Sequence, residues 1–184
     1  MIEVTLPTKE LRKLEKAVEQ AGKKLPGQVA SAVNRTATRT RTHVSREIRK
    51  ELAAPAKVVN NTLRKTKATR KRPGAVVTLE RSRRIPLRDF GARQTRAGVS
   101  YRISKQGGRQ TAKSAFMISK MNNRVFKRKG RTRLPIGQLY GPSPWGVFIK
   151  RKLKKPTLRF VQRELKKQMQ QRIEFNVLKA SGAI

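Results

Sequence analysis

The sequence contains no cysteine and a single histidine, His43. The first absence excludes disulfides, thiolate metal sites and thiol nucleophiles. Acidic residues are also scarce, at 10 against 47 Lys and Arg, for a formal net charge of +37. Between Glu80 and Glu164 the only acidic side chain is Asp89. Self-repulsion on that scale opposes a compact state, so the chain calls for a polyanion or for acidic partners. Aromatic residues make up 5%, with none between Met1 and Gly74. Base-stacking platforms of the single-strand-binding type are therefore unsupported in that segment. No stretch reaches the ~18 consecutive apolar residues of a membrane span. Met1 to Leu25 is charged throughout and lacks the apolar run of a signal peptide. The reading is a soluble protein made in a cytoplasm, without membrane contact.

Hydrophobic residues amount to 36%, which with this length allows one main domain with arms. Thr8 can cap a helix carrying Leu11, Leu14, Val18, Ala21 and Leu25 on one stripe. Pro26 and Gly27 interrupt it, and Pro26 suits the first turn of a second helix. Val29, Val33, Ala37, Thr40, Val44 and Ile48 carry that helix to Leu52, with an end near Ala53 to Pro55. Arg35, Arg39, Arg46 and Arg49 project from the opposite side as a guanidinium ladder. Glu47 and Glu51 fall near the apolar side, where basic residues of a neighbouring helix or subunit can pair with them.

A short helix is expected around Ala56 to Leu63. Arg64 to Pro73, with Arg70, Lys71 and Arg72, reads as an exposed basic linker. Beyond Gly74 the period changes to two. Ala75 to Glu80 is rich in β-formers, and Val99, Tyr101 and Ile103 alternate with polar residues. Ala115 to Ser119 and Arg124 to Lys127 read as a strand pair joined near Met121 to Asn123, whereas Gln106 to Gln110 holds two glycines and reads as a turn. From Pro156, Leu158, Val161, Leu165, Met169 and Ile173 give a C-terminal helix of about five turns. The expected class is α+β: a long two-part N-terminal helical arm with basic linker (1–73), a small antiparallel β-rich core (74–155) and a C-terminal helix and tail (156–184).

Enzyme chemistry has little to build on. His43 lacks a nearby Ser, Cys or carboxylate pattern. Glu80 and Asp89 sit among arginines with no third ligand, which favours local ion pairing over a metal site. There is neither a Walker-type loop nor a dinucleotide fingerprint, so no catalytic residue, metal or cofactor is assigned. Backbone-directed, sequence-independent nucleic-acid contact is the stronger chemistry, because Lys and Arg neutralise phosphates and release counterions. The runs Arg70 to Arg72, Lys127 to Lys129 and Lys150 to Lys155 are equally readable as solvated faces or as surfaces for acidic neighbours.

Three segments carry a resemblance: AVNRTATRTRTHVSREIR from Ala32, RIPLRDF from Arg84, and AFMISKMNNRVFKRKGRTRLPIGQLYGPS from Ala115. In this order and spacing they resemble the phage minor tail protein Z family, the tail completion proteins, from about Leu25 to Phe175. The matching positions include Asn34 and Arg35, Ile85, Pro86, Leu87 and Phe90, Phe116, Pro135 and Ile136, and Gly141, Pro142 and Ser143. Pro144 to Lys155, with Trp145 and Phe148, departs from the pattern, and Met1 to Thr8 adds a short arm. Pro135 and the Gly141-Pro142-Ser143 turn are expected to set backbone direction between sheet and final helix.

The resemblance implies a virion component without enzymatic activity, assembled in the host cytoplasm. It is placed at the head-proximal end of a long tail, as a homo-oligomeric ring with six copies expected. Its implied neighbours are the tail terminator, tail tube, head–tail connector and tape-measure proteins, and phage genomic DNA. Arg35, Arg39, Arg46, Arg49, Arg70, Lys71 and Arg72 are the candidate DNA contacts. Two alternatives stay open: a ribosomal-type RNA-binding protein, and a tail protein whose charge serves acidic protein partners alone.

Overall fold

The computed structural model describes residues 25–180. The proposed first helix, from Thr8, lies outside them except for Leu25. The elements in order are α1 (Leu25–Glu51), α2 (Ala56–Asn60), β1 (Leu63–Thr66), β2 (Val76–Leu79), a 3-10 turn (Leu87–Phe90), β3 (Arg93–Thr95), β4 (Gly98–Tyr101) and β5 (Gln110–Lys113). Then follow β6 (Ala115–Ile118), a 3-10 turn (Ser119–Met121), β7 (Arg124–Arg128), β8 (Ile136–Gln138), α3 (Pro144–Lys150) and α4 (Lys154–Ala180). The class is α+β, with small antiparallel sheets between two long helices in chain order. Among the described residues no helix is long and apolar enough to cross a membrane.

The chain divides into two compact units. The first holds the described residues up to Val44, Leu63–Thr78 and those from Leu153; the second holds Ser45–Thr62 and Leu79–Lys152.

In the first unit the expected stripe of α1 is buried at Val29, Val33, Ala37, Thr40 and Val44. It meets Val77 of β2, Ala75 just before that strand, and Val161 of α4, with only about 10 Å³ left between them. Thr36 and Thr40 are buried on this face because their hydroxyls donate to the carbonyls of Ala32 and Thr36, at 3.0 and 2.8 Å. On α4 the buried residues are Thr157, Val161, Glu164, Leu165, Gln168 and Met169, while Leu158 is exposed. This helix starts two residues before Pro156 and runs for 27 residues, longer than the apolar spacing suggested.

Two expectations are corrected. The short helix stops at Asn60, and Leu63–Thr66 within the basic segment is a strand rather than part of a linker. It pairs with β2. Leu63 is buried in this strand, and Ala68 is buried just after it.

The second unit carries two three-stranded sheets, ordered β3-β4-β5 and β6-β7-β8. The β6–β7 hairpin falls where alternation placed it, with Phe116 opposite Phe126 and both Asn122 and Asn123 in the left-handed region that Asn tolerates. Val99 is buried at the centre of β4, but regular pairing stops at Tyr101, before Ile103. Gly98 has φ +138°, and a Cβ there would lie 2.1 Å from the Ala112 carbonyl oxygen, so β4 and β5 meet only because the residue is glycine. The Gly141-Pro142-Ser143 turn leads into α3, a helix absent from the sequence reading, rather than directly into the final helix. Ser143 caps α3 by accepting from Gly146 N at 3.1 Å, and Pro144 occupies its first turn.

Candidate polyanion-binding groove

Within the first unit, the solvent face of α1 and the chain leaving β1 enclose an open concavity of about 970 Å³. Its cations are Arg35 and Arg39 from α1, Lys65 from β1, and Arg70 from the following loop. The remaining walls are Gly27, Gln28, Ala30, Ser31, Asn34, Thr38, Ala68 and Thr69, so among the described residues none that lines it is acidic or aromatic.

Local bonds hold these walls in register. Asn34 reaches from α1 to grip Ala68 twice, donating from Nδ2 to its carbonyl at 2.9 Å and accepting from its amide at 2.8 Å. Thr69 N donates to the Arg72 carbonyl at 2.8 Å, and Arg72 N donates to Thr69 Oγ1 at 3.1 Å, closing the loop turn. A Cβ on Gly27 would sit 3.2 Å from Arg70 Nε, so this glycine admits the guanidinium against the first turns of α1. Lys65 Nζ donates to Thr38 Oγ1 at 2.7 Å. Arg172 of α4 donates to Ser31 Oγ at 2.9 Å.

Arg39 is anchored from behind. Its Nη1 donates to Glu164 Oε1 at 2.6 Å, and that oxygen also accepts from Gln168 Nε2 at 2.9 Å. The Arg39 side chain nevertheless remains 53% exposed, and a guanidinium has donors to spare after one such pairing.

The predicted contacts therefore separate. Arg35, Arg39 and Arg70 line this groove, and Lys71 and Arg72 are exposed in the same loop. Arg46 and Arg49 belong to the second unit. There Arg46 is exposed, and Arg49 lines a cleft of about 620 Å³ with Ala53, Asp89 and Arg102, its Nε buried without a hydrogen-bond partner. Lys65 stands outside the predicted contacts because its segment, dense in Arg and Lys, reads as a linker. Once β1 is recognised, its position beside Thr38 gives it a place at the groove.

The remaining charged candidates are engaged locally. Glu47 pairs with Lys50 at 2.6 Å, Glu80 with Arg83 at 3.3 Å and Asp89 with Arg88 at 3.4 Å, while Glu51 pairs with Arg151. The His43 ring stacks on Phe160, with centroids 4.1 Å apart and planes 4° from parallel. Among the described residues no cluster of three or more His, Cys, Asp or Glu is able to hold a metal ion.

The model of the family described as Prophage minor tail protein Z (GPZ) matches residues 9–180. The chain belongs to this family. It is a phage minor tail protein, a component of the virion tail. No curated protein and no solved structure matches it.

Two of the segments that carried the resemblance meet in the second unit of this minor tail protein. Gly141 N donates to the Ile85 carbonyl at 2.8 Å, Leu87 N donates to the Leu139 carbonyl at 3.1 Å, and Pro86 bridges Tyr140. Ile85, Leu87 and Phe90 are buried there. A Cβ on Gly141 would lie 2.3 Å from Phe90 Cε2, so the backbone of the second segment rests on the ring of the first. Phe116 lies 6.5 Å from Phe126 and under the Arg128 guanidinium, while Pro142 and Ile136 are half-buried and Pro135 is exposed. Ile85, Leu87, Phe90 and Gly141 thus form one packed contact.

Proposed function

We propose that this minor tail protein is a non-catalytic structural component that completes the head-proximal end of the tail. In this reading it is built into the particle in the host cytoplasm as a homohexameric ring, mates with the tail terminator, tail tube and connector, and meets the tape-measure protein. Its groove seats the sugar–phosphate backbone of the genomic DNA as the duplex enters the tail. The observation that carries the reading is the groove's composition: Arg35, Arg39, Lys65 and Arg70 converge, and among the described residues no wall residue is acidic or aromatic. That set neutralises phosphates and offers no aromatic platform for stacking on bases, which suits a conduit for arbitrary sequence. Lys71 and Arg72 extend the same loop of the first unit, and Arg46 and Arg49 of the second unit are separate candidate contacts.

A second reading, in which acidic tail proteins are the sole ligands, draws on the Arg39–Glu164 pair, where a ladder guanidinium already holds a carboxylate. Among the described residues the apolar ones lining the groove are Gly27, Ala30 and Ala68, too little to anchor a protein segment, and this favours phosphate. Family membership sets aside the ribosomal-type alternative.

A cryo-EM map of the intact neck tests the reading. The expected map shows a ring of this chain at the head-proximal end of the tail with Arg35 and Arg70 facing DNA density. A map with these residues against carboxylates of a neighbouring protein overturns it in favour of the second reading.

A further inference from the structure

The second unit holds a cationic feature that no candidate contact from the sequence included. From Lys127 to Pro135, across the end of β7 and the connection to β8, every residue is exposed. Lys127, Arg128, Lys129, Arg131 and Arg133 lie in this short stretch, and no acidic residue occurs in it. Among the described residues no carboxylate pairs with any of these five. A folded chain that concentrates like charge in one projecting turn accepts repulsion there unless an anion completes it.

The turn is also built rather than loose. Lys129 N donates to the Pro135 carbonyl at 3.0 Å, continuing the β7–β8 ladder, and Thr132 Oγ1 donates to the Leu134 carbonyl at 2.5 Å. Lys127 stands opposite Gly137, and the Lys129 stem runs beside that glycine, its Cε 3.5 Å from where a Cβ would sit, an ordinary van der Waals contact. Arg128 is held 5.6 Å above the Phe116 ring. Lys127, Lys129, Arg131 and Arg133 are thereby presented on a preorganised ribbon, which lowers the ordering cost of binding.

We infer that the β7–β8 hairpin is a second, independent contact for the phosphate backbone of nucleic acid, made through Lys127, Lys129, Arg131 and Arg133. The inference rests on the reading that the chain meets DNA, but not on the groove, which lies in the other unit. Leu134, 66% exposed, and Pro135 are the only apolar residues of the turn, too small a patch to dock a protein partner. Without an aromatic side chain the turn has no means of stacking on bases.

The test measures binding of the full chain to a short mixed-sequence duplex, and separately to polyglutamate, across a range of salt concentrations. The Lys127→Gln, Lys129→Gln, Arg131→Gln, Arg133→Gln variant is compared with an equal-charge control, Arg84→Gln, Arg96→Gln, Lys113→Gln, Lys120→Gln, drawn from exposed residues of the same unit. The hairpin variant is expected to flatten the slope of log affinity against log salt by about 3.5, and the control by less than about 1. Equal flattening by both shows diffuse charge and overturns the inference. So does an unchanged slope, or a loss confined to polyglutamate, which would assign the hairpin to an acidic protein. A groove variant run alongside separates the claims: if it keeps the parental slope while the hairpin variant does not, the groove reading fails and the hairpin stands.

Discussion

Arg39 on α1 and Glu164 on α4 meet at 2.6 Å, with the carboxylate side chain only 10% exposed and the guanidinium 53% exposed. One residue thus serves two ends: its inner edge satisfies a buried acid, and its outer part forms a wall of the groove. Removing the cation strands the carboxylate with Gln168 as its remaining donor, whereas removing the acid leaves an arginine that water can solvate. Arg39→Gln is therefore expected to cost about 2 kcal/mol and Glu164→Gln about 1 kcal/mol, with the double variant less destabilised than their sum. Urea unfolding measures this; equal costs that add would show that the pair is uncoupled.

Asn34 contributes to the groove without charge. Asn34→Ala removes both bonds to Ala68, with an expected cost of about 1 to 2 kcal/mol and faster exchange of the Ala68 amide. Hydrogen exchange at parental rates would mean that the loop is held by other contacts.

The meeting of the two family segments predicts a steric effect. Gly141→Ala drives a methyl into the Phe90 ring and is expected to cost about 1 to 3 kcal/mol, with partial recovery in combination with Phe90→Leu. Gly108→Ala, with nothing within 4 Å, is the neutral comparison. If thermal unfolding shows the two glycine variants to be equally stable, the contact carries no energy.

Periodicity made α1 legible because Val29, Val33, Ala37, Thr40 and Val44 face one side, and it made β6–β7 legible because the two strands adjoin in sequence. What it could not show depends on distant partners. β1 has one buried side chain, Leu63, beside Arg64 and Lys65, so its local composition reads as linker and only pairing with β2 makes it a strand. The groove was half legible for the same reason. Arg35 and Arg39 are neighbours on one helical face, but Arg70 joins them through the Asn34 bonds to Ala68, and Lys65 through the strand. The capping signal of α3, Ser143 followed by Pro144, was present but overshadowed by the basic run after it.

The central claim is that the groove of the first unit binds phosphate backbone, and the salt dependence of duplex binding addresses it most directly. Because Arg39 also holds Glu164, the informative variant spares it and combines Arg35→Gln, Lys65→Gln and Arg70→Gln, which keep helix and strand intact. This variant is expected to fold like the parent, to show no change in sequence preference, and to have a slope of log affinity against log salt flatter by about 3. A variant that matches the parent's slope at every salt concentration would contradict it.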